Sequence, residues 1–162
     1  MKQARKTLPG AATAVRKARR EDVGAISGLL VEYARMGNVL PRTKADIVRN
    51  IDLFRVAETD TGVTGCGALE IFTPNLAEIR SLVVAKDHKG TGTGRLLVEH
   101  LVRDARARGH RRLMALTYVP VFFHRMGFET VSRHDFPEKV WGICVTCYKF
   151  HRCDEVAVLK YL

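Results

Sequence analysis

Apolar residues recur at helical spacing over Val23, Ile26, Leu29, Leu30 and Tyr33. The period predicts a helix opening at Glu21-Asp22 and running to about Met36, with Gly37-Asn38 as its stop. Thr43 to Asn50 reads as a second, short helix capped by Thr43. β-Rich runs at Leu53 to Glu58 and Val63 to Phe72 are strands joined by the turn signal Asp60-Thr61-Gly62. Leu76 to Ala85 is a further strand, and Ala14 to Arg19 a short one near the start. An amphipathic helix is expected from Thr93 to about Arg108. Then follow a strand at Arg112 to Thr117, a short helix at Val121 to Met126, a strand at Phe128 to Arg133 and a closing strand at Glu155 to Leu162. Two strands flank the long helix, and a crossover of that kind implies a parallel pair inside an otherwise antiparallel sheet. The fold class is therefore α+β.

A chain of 162 residues fits one domain with one core. No apolar run approaches the roughly 18 residues that a membrane span needs. The formal charge of +10 would suggest a nucleic-acid partner if it were spread evenly. It is not: seven of the 27 Lys and Arg lie within residues 1 to 20, where no acid occurs. A basic flexible arm, residues 1–13, thus precedes a nearly balanced domain, residues 14–162. The arm reads as a solubilising tail in preference to a nucleic-acid arm. Its acid-poor, Arg-containing composition is also compatible with a transit peptide, whereas no apolar stretch follows to make a secretory signal. A cytoplasmic protein with reduced thiols is expected.

The stretch Asp87 to His100, DHKGTGTGRLLVEH, carries the chemistry. A strand ends before it and a helix begins inside it. The first N–H groups of a helix lack internal partners, and the dipole end there is positive. Glycines let an anion approach the backbone closely, and Lys89 and Arg95 add charge. The loop is a cradle for a pyrophosphate. No Gly-Lys-Ser/Thr closes it, so it is not a Walker loop. Nor does it open the first βαβ unit, where a dinucleotide fingerprint would lie.

Lys89-Gly90-Thr91-Gly92-Thr93-Gly94 resembles the Arg/Gln-x-x-Gly-x-Gly/Ala signature of the GNAT acetyltransferases, with Lys in first place. Phe122-Phe123-His124-Arg125-Met126-Gly127-Phe128 resembles the short GNAT helix that ends in Gly-Phe. More narrowly, Asn38 to Arg42, Val63 to Leu69, Leu76 to Leu82 and Met114 to Thr117 together resemble the catalytic domain of N-acetylglutamate synthases, in the short bacterial form without an amino-acid-kinase domain. The resemblance implies a GNAT fold: a mixed, mostly antiparallel sheet with a central splayed parallel pair and helices on both faces. It implies acetyl-CoA as cosubstrate and a small amino acid as acceptor, the α-amine of L-glutamate in the first step of arginine biosynthesis. Another amino acid, a protein lysine or a non-catalytic acetyl-CoA sensor are the alternatives. No membrane partner is expected, nucleic acid is disfavoured, and a homodimer is left open.

The same resemblance implies the site. Leu82, Val83 and Val84 would offer main-chain groups to the pantetheine, as an added strand would find them. Lys89, Gly90, Thr91, Gly92, Thr93, Gly94 and Arg95 would surround the pyrophosphate. Glu78 stands where several GNAT enzymes place a carboxylate base, although it could instead pair with Arg80, two residues on and on the same face. The tyrosine that many of them use as acid is here Phe123. Tyr118 is the nearest hydroxyl and the candidate acid; His124 or a solvent proton are the other options. Arg42, in the loop expected to overhang the acceptor cleft, would take a carboxylate through two parallel bonds. Arg80 and Ser81 are the other acceptor-side residues.

Four cysteines remain. Cys66, in a strand expected to be buried, reads as a small apolar filler. Cys144, Cys147, His151 and Cys153 lie within ten residues and could hold zinc tetrahedrally. A loop staple or redox-sensitive thiols fit the same spacing and are favoured over the metal. Trp141 is expected to pack under this loop.

Overall fold

The apolar stripe of the long central helix decides the architecture. Leu97, Val98, Leu101, Val102 and Ala105 are all buried, and they lie along one side of a helix that spans Thr93–Ala107. That side must cover a sheet, and the alternation in the strands supplies one. The computed structural model describes residues 12–135 and 154–162.

The strands are β1 (Ala14–Lys17), β2 (Phe54–Thr59), β3 (Gly62–Thr73), β4 (Leu76–Val84), β5 (Arg112–Thr117), β6 (Glu129–Val131) and β7 (Val156–Tyr161). The α-helices are α1 (Val23–Arg35), α2 (Lys44–Arg49), α3 (Thr93–Ala107) and α4 (Pro120–His124). The strands form one sheet in the order β1-β2-β3-β4-β5-β7-β6. Every neighbouring pair is antiparallel except β4 and β5, which run parallel as the crossover through α3 requires. The first helix is preceded by a 3₁₀ turn at Arg20–Asp22, so its regular part starts two residues later than the periodicity suggests. Thr43 does cap α2: its Oγ1 accepts the Asp46 N–H at 3.1 Å. Leu53 ends a 3₁₀ turn rather than starting β2. The α4 helix starts at Pro120, whose fixed φ suits a first helical turn, and it stops at His124.

Helices cover both faces. Gly65, Gly67 and Leu69 of β3 face α3: Cβ atoms built on the two glycines would meet Leu97 and Leu101, and Leu69 shares a core cluster with Val98, Leu101 and Ala105. The alternate residues Cys66 and Ala68 pack with Ile26, Leu30 and Tyr33 of α1 and Ile47 of α2. The glycines are what let α3 come so close. A Cβ on Gly65 would lie 2.9 Å from the Val83 carbonyl oxygen, and one on Gly67 2.9 Å from Leu101 Cδ1. Two ion-pair groups tie the periphery. Arg55 binds Asp104 through two bonds of 2.7 and 2.6 Å, fastening α3 to β2. Arg16 joins Asp22 and Glu58 across β1, the 3₁₀ turn and β2. Among the described residues no helix is long and apolar enough to cross a membrane.

Candidate active site

The parallel pair separates part-way along. Residue pairing between β4 and β5 covers Leu76↔Arg112, Ala77↔Leu113 and Glu78↔Met114, and ends there. Beyond it β4 stays with β3, and β5 stays with β7. A wedge therefore opens between the C-terminal halves of two central strands, with main-chain groups of both along its walls.

A bulge in β4 helps to set that wedge. Arg80 opposes Ala68 and Val83 opposes Cys66, so Ser81 and Leu82 together face only Gly67. Ser81 takes the left-handed region at φ 54, the only non-glycine among the described residues to do so. Such a conformation in a hydroxyl residue marks a place where the surroundings over-determine the backbone, which occurs preferentially at functional sites. The bulge keeps Arg80 and Val83 on the face that α1 and α2 cover, and Glu78 lies two residues before Arg80 on that same face.

The mouth of the wedge is framed by the glycine loop. After β4, a 3₁₀ turn at Lys86–His88 leads to Gly90 at φ 75 and to Gly92 at φ 86, the N-cap of α3. Nothing lies within 4 Å of a Cβ built on either glycine. The loop is thus an open concavity backed by the N-terminus of a 15-residue helix, with Lys89 and Arg95 exposed beside it. Thr91 bridges to Thr93 at 2.8 Å and braces the turn. Gly94 differs from the other two: its Cβ position would meet Phe122 Cζ at 3.3 Å. It is small so that α4 can pack against the start of α3. The residues present fit a pyrophosphate, since the cradle has open backbone, a positive helix end and two cations.

Arg42 is not a solvated loop residue. It sits between α1 and α2 with a side chain only 9% exposed. Its Nε donates to Asp46 Oδ2 at 2.6 Å, Nη1 donates to Ser81 Oγ at 3.3 Å, and the guanidinium lies 4.9 Å from the Phe54 ring centroid. Asp46 is itself held by the Asn50 amide at 3.0 Å. Arg42 and Ser81 are thus brought together across 39 residues of chain. Arg80 forms an ion pair with Glu70 at 3.7 Å. Glu78 is buried, at 2% exposure. Burial pushes the Cys66 thiol up to about 12, against the pull of the nearby Arg42 charge, and its Sγ–H donates to the Ser81 carbonyl at 3.5 Å. Cys66 is an inert filler under the bulge, as expected.

Tyr118 follows directly on β5 and is 39% exposed at the mouth of the wedge. Phe123 is buried in the core with edge-on contacts to Phe122 and Phe128, at 5.1 and 5.3 Å between ring centroids. His124 Nε2 is engaged with Thr130 Oγ1 at 2.8 Å. Cys144, Cys147, His151, Cys153 and Trp141 lie outside the described residues. Among the described residues no three metal-ligating side chains come together.

Sequence reasoning missed Tyr33, Asp46, Phe54 and Phe122. Asp46 could have been found, because it stands four residues after Arg42 and next to a capping threonine. Tyr33 sits on the apolar stripe of α1, and nothing in that pattern shows that its hydroxyl donates to the Val84 carbonyl.

A splayed parallel pair with a glycine-rich helix start at its mouth is the frame of an acyl-CoA-dependent transferase. The acetyltransferase (GNAT) domain matches residues 50–130, and the chain belongs to the GNAT acetyltransferase family. It is an acetyl-CoA-dependent N-acetyltransferase. An uncharacterized N-acetyltransferase of Chlorobaculum tepidum is 40% identical over 155 residues, 96% of this chain and all of that one. The amino-acid acetyltransferase of Mycobacterium tuberculosis is 36% identical over 122 residues, 73% of this chain and 69% of that one. The crystal structure of N-acetylglutamate synthase from Neisseria gonorrhoeae, complexed with coenzyme A and N-acetyl-glutamate, superposes with a TM-score of 0.83 at 27% identity. That match covers 94% of this chain and 36% of the synthase. Other relatives named amino-acid acetyltransferase are longer still, and the matched region is about a third of their length.

Proposed function

We propose that the protein moves the acetyl group of acetyl-CoA to the α-amine of L-glutamate, in the cytoplasm, as the first step of arginine biosynthesis. The observation that carries this reading is the immobilised Arg42. Asp46 takes its Nε, Ser81 takes one Nη1 hydrogen, and Phe54 covers a face. The N–H groups of the guanidinium left over from these contacts could take a carboxylate, and Arg80 on β4, next to Ser81, adds a second cation. A neutral amine would need neither group.

Acetyl-CoA supplies an acetyl thioester activated for attack by nitrogen. Gly90, Thr91, Gly92, Thr93 and Gly94, with Lys89 and Arg95, hold its pyrophosphate. Main-chain groups of Leu82, Val83 and Val84 take the pantetheine along the wedge. Arg42, Arg80 and Ser81 fix the acceptor's carboxylates. Glu78 draws the proton from the ammonium, through a water, because an amine of high pKa cannot attack while protonated. The amine adds to the thioester carbonyl, and as the C–S bond breaks Tyr118 gives a proton to the sulfur and recovers one from the nitrogen, which sheds its second proton to become the amide.

Thiol release measured with glutamate, other amino acids and a peptide lysine tests the reading. Arg42→Ala should raise the KM for glutamate by about 10- to 100-fold, the loss of a charged hydrogen-bonded partner, with little change for acetyl-CoA. Arg42→Lys keeps the charge without the fork and should fall between. Normal glutamate kinetics in both variants, or a wild type that ignores glutamate and acetylates a neutral amine, would overturn the assignment.

A further inference from the structure

We propose that Tyr33 is a positioning residue for the cosubstrate, holding the Lys89 ammonium at the phosphate cradle. Its side chain makes two contacts that belong to different parts of the site. The hydroxyl donates to the carbonyl of Val84, the last residue of β4. The ring lies under Lys89, whose Nζ is 5.0 Å from the ring centroid. Tyr33 itself is 6% exposed and buried between α1 and the sheet.

The physical case starts from Lys89. It is exposed, precedes Gly90 and carries a long flexible stem. An untethered lysine loses most of its rotamer freedom when it binds a phosphate. An aromatic face attracts the ammonium and narrows its range before any ligand arrives. The tether is firm only because the ring cannot move, and the ring is fixed at both ends. Its backbone is in the last turn of α1, closed by the Gly37 N–H on Ala34 O and the Asn38 N–H on Tyr33 O. Its hydroxyl is fixed on β4. The same turn opens the loop that carries Arg42. Tyr33 therefore stands where the acceptor loop, the wedge and the phosphate cradle meet.

This inference rests on Lys89 serving the pyrophosphate, and the experiment separates the two. Two thioesters are compared in steady state: acetyl-CoA, and S-acetyl-N-acetylcysteamine, which has no pyrophosphate. Tyr33→Leu should raise the KM for acetyl-CoA about 2- to 5-fold with kcat retained, and leave kcat/KM for the truncated thioester unchanged. In a Lys89→Met background Tyr33→Leu should add nothing further for acetyl-CoA. Should Tyr33→Leu fail to fold, Tyr33→Phe frees one end of the ring: Lys89→Met should then cost acetyl-CoA a smaller factor than it costs the wild-type chain, and an undiminished factor overturns the positioning role. Equal losses on both thioesters, or additive losses from Tyr33→Leu and Lys89→Met, overturn the positioning role and leave the cradle intact. No effect of Lys89→Met on acetyl-CoA overturns both.

Discussion

Gly92 and Gly109 form a matched pair at the two ends of α3. Their φ angles are +86 and +83, and a Cβ on either would have nothing within 4 Å. Alanine at either place should therefore cost only the left-handed backbone, about 1–2 kcal/mol. For a chain of this length that corresponds to a fall of roughly 2–8 °C in Tm. The two sites differ in what has to approach them. Gly109 closes the C-terminal end of α3, where its N–H bonds Arg106 O and the next N–H bonds Ala105 O. Gly92 is the N-cap inside the cradle. There a methyl group stands where the pyrophosphate must reach the backbone. Losing one charge-assisted hydrogen bond, about 1.5–3 kcal/mol, weakens CoA binding roughly 10- to 100-fold. The assay is paired: thermal unfolding for stability, and titration calorimetry with CoA for affinity. Gly92→Ala and Gly109→Ala should lose similar stability, and only the former should lose affinity. Wild-type CoA affinity in a folded Gly92→Ala variant would falsify the cradle.

Glu78→Gln preserves size and hydrogen bonding but removes basicity, so the rate at neutral pH should fall about 10²-fold or more; an unchanged pH–rate profile would make Glu78 structural. Tyr118→Phe tests the acid: the rate should fall across the neutral range, and wild-type rates throughout would leave the proton to solvent. The third expectation concerns acid stability. The Arg16 hydrogen bonds hold the Asp22 carboxyl below its ordinary value, aided by the Arg19 N–H and opposed by burial. A depressed folded pKa contributes stability that is complete above the unfolded value, near 4, and is lost as pH falls through the folded one. Urea midpoints should therefore drop as the pH is taken below about 4. Asp22→Asn should lose stability at neutral pH and flatten that acid limb; an acid limb as steep as the wild type's in the variant would assign it to other carboxylates.

Local chemistry made much of this protein legible in one dimension. The apolar period of α3, the Thr43 cap, the Gly62 turn and the boundaries of β5 depend on residues a few positions apart. So does the glycine loop, since glycines after a strand and before a helix carry their own geometry. The parallel pair followed from the crossover helix expected between β4 and β5.

Tertiary structure decided the rest. A one-residue bulge in β4 puts Ser81 beside Arg42, and it depends on Gly67 making room for Leu82 and Leu101. Strand alternation read from the sequence put Arg80 on the face of Glu78, and nothing in that pattern showed that its ion pair reaches across to Glu70 on β3. Gly94, which looks like its neighbours in the loop, answers to Phe122 on α4, 28 residues later. Tyr33 looked like core and is core, yet its hydroxyl reaches a strand end 51 residues away. Periodicity tells a side chain which face to occupy, because neighbours on one element share its axis. It does not tell which partner waits on that face, because register and close approach are set only when separate elements pack.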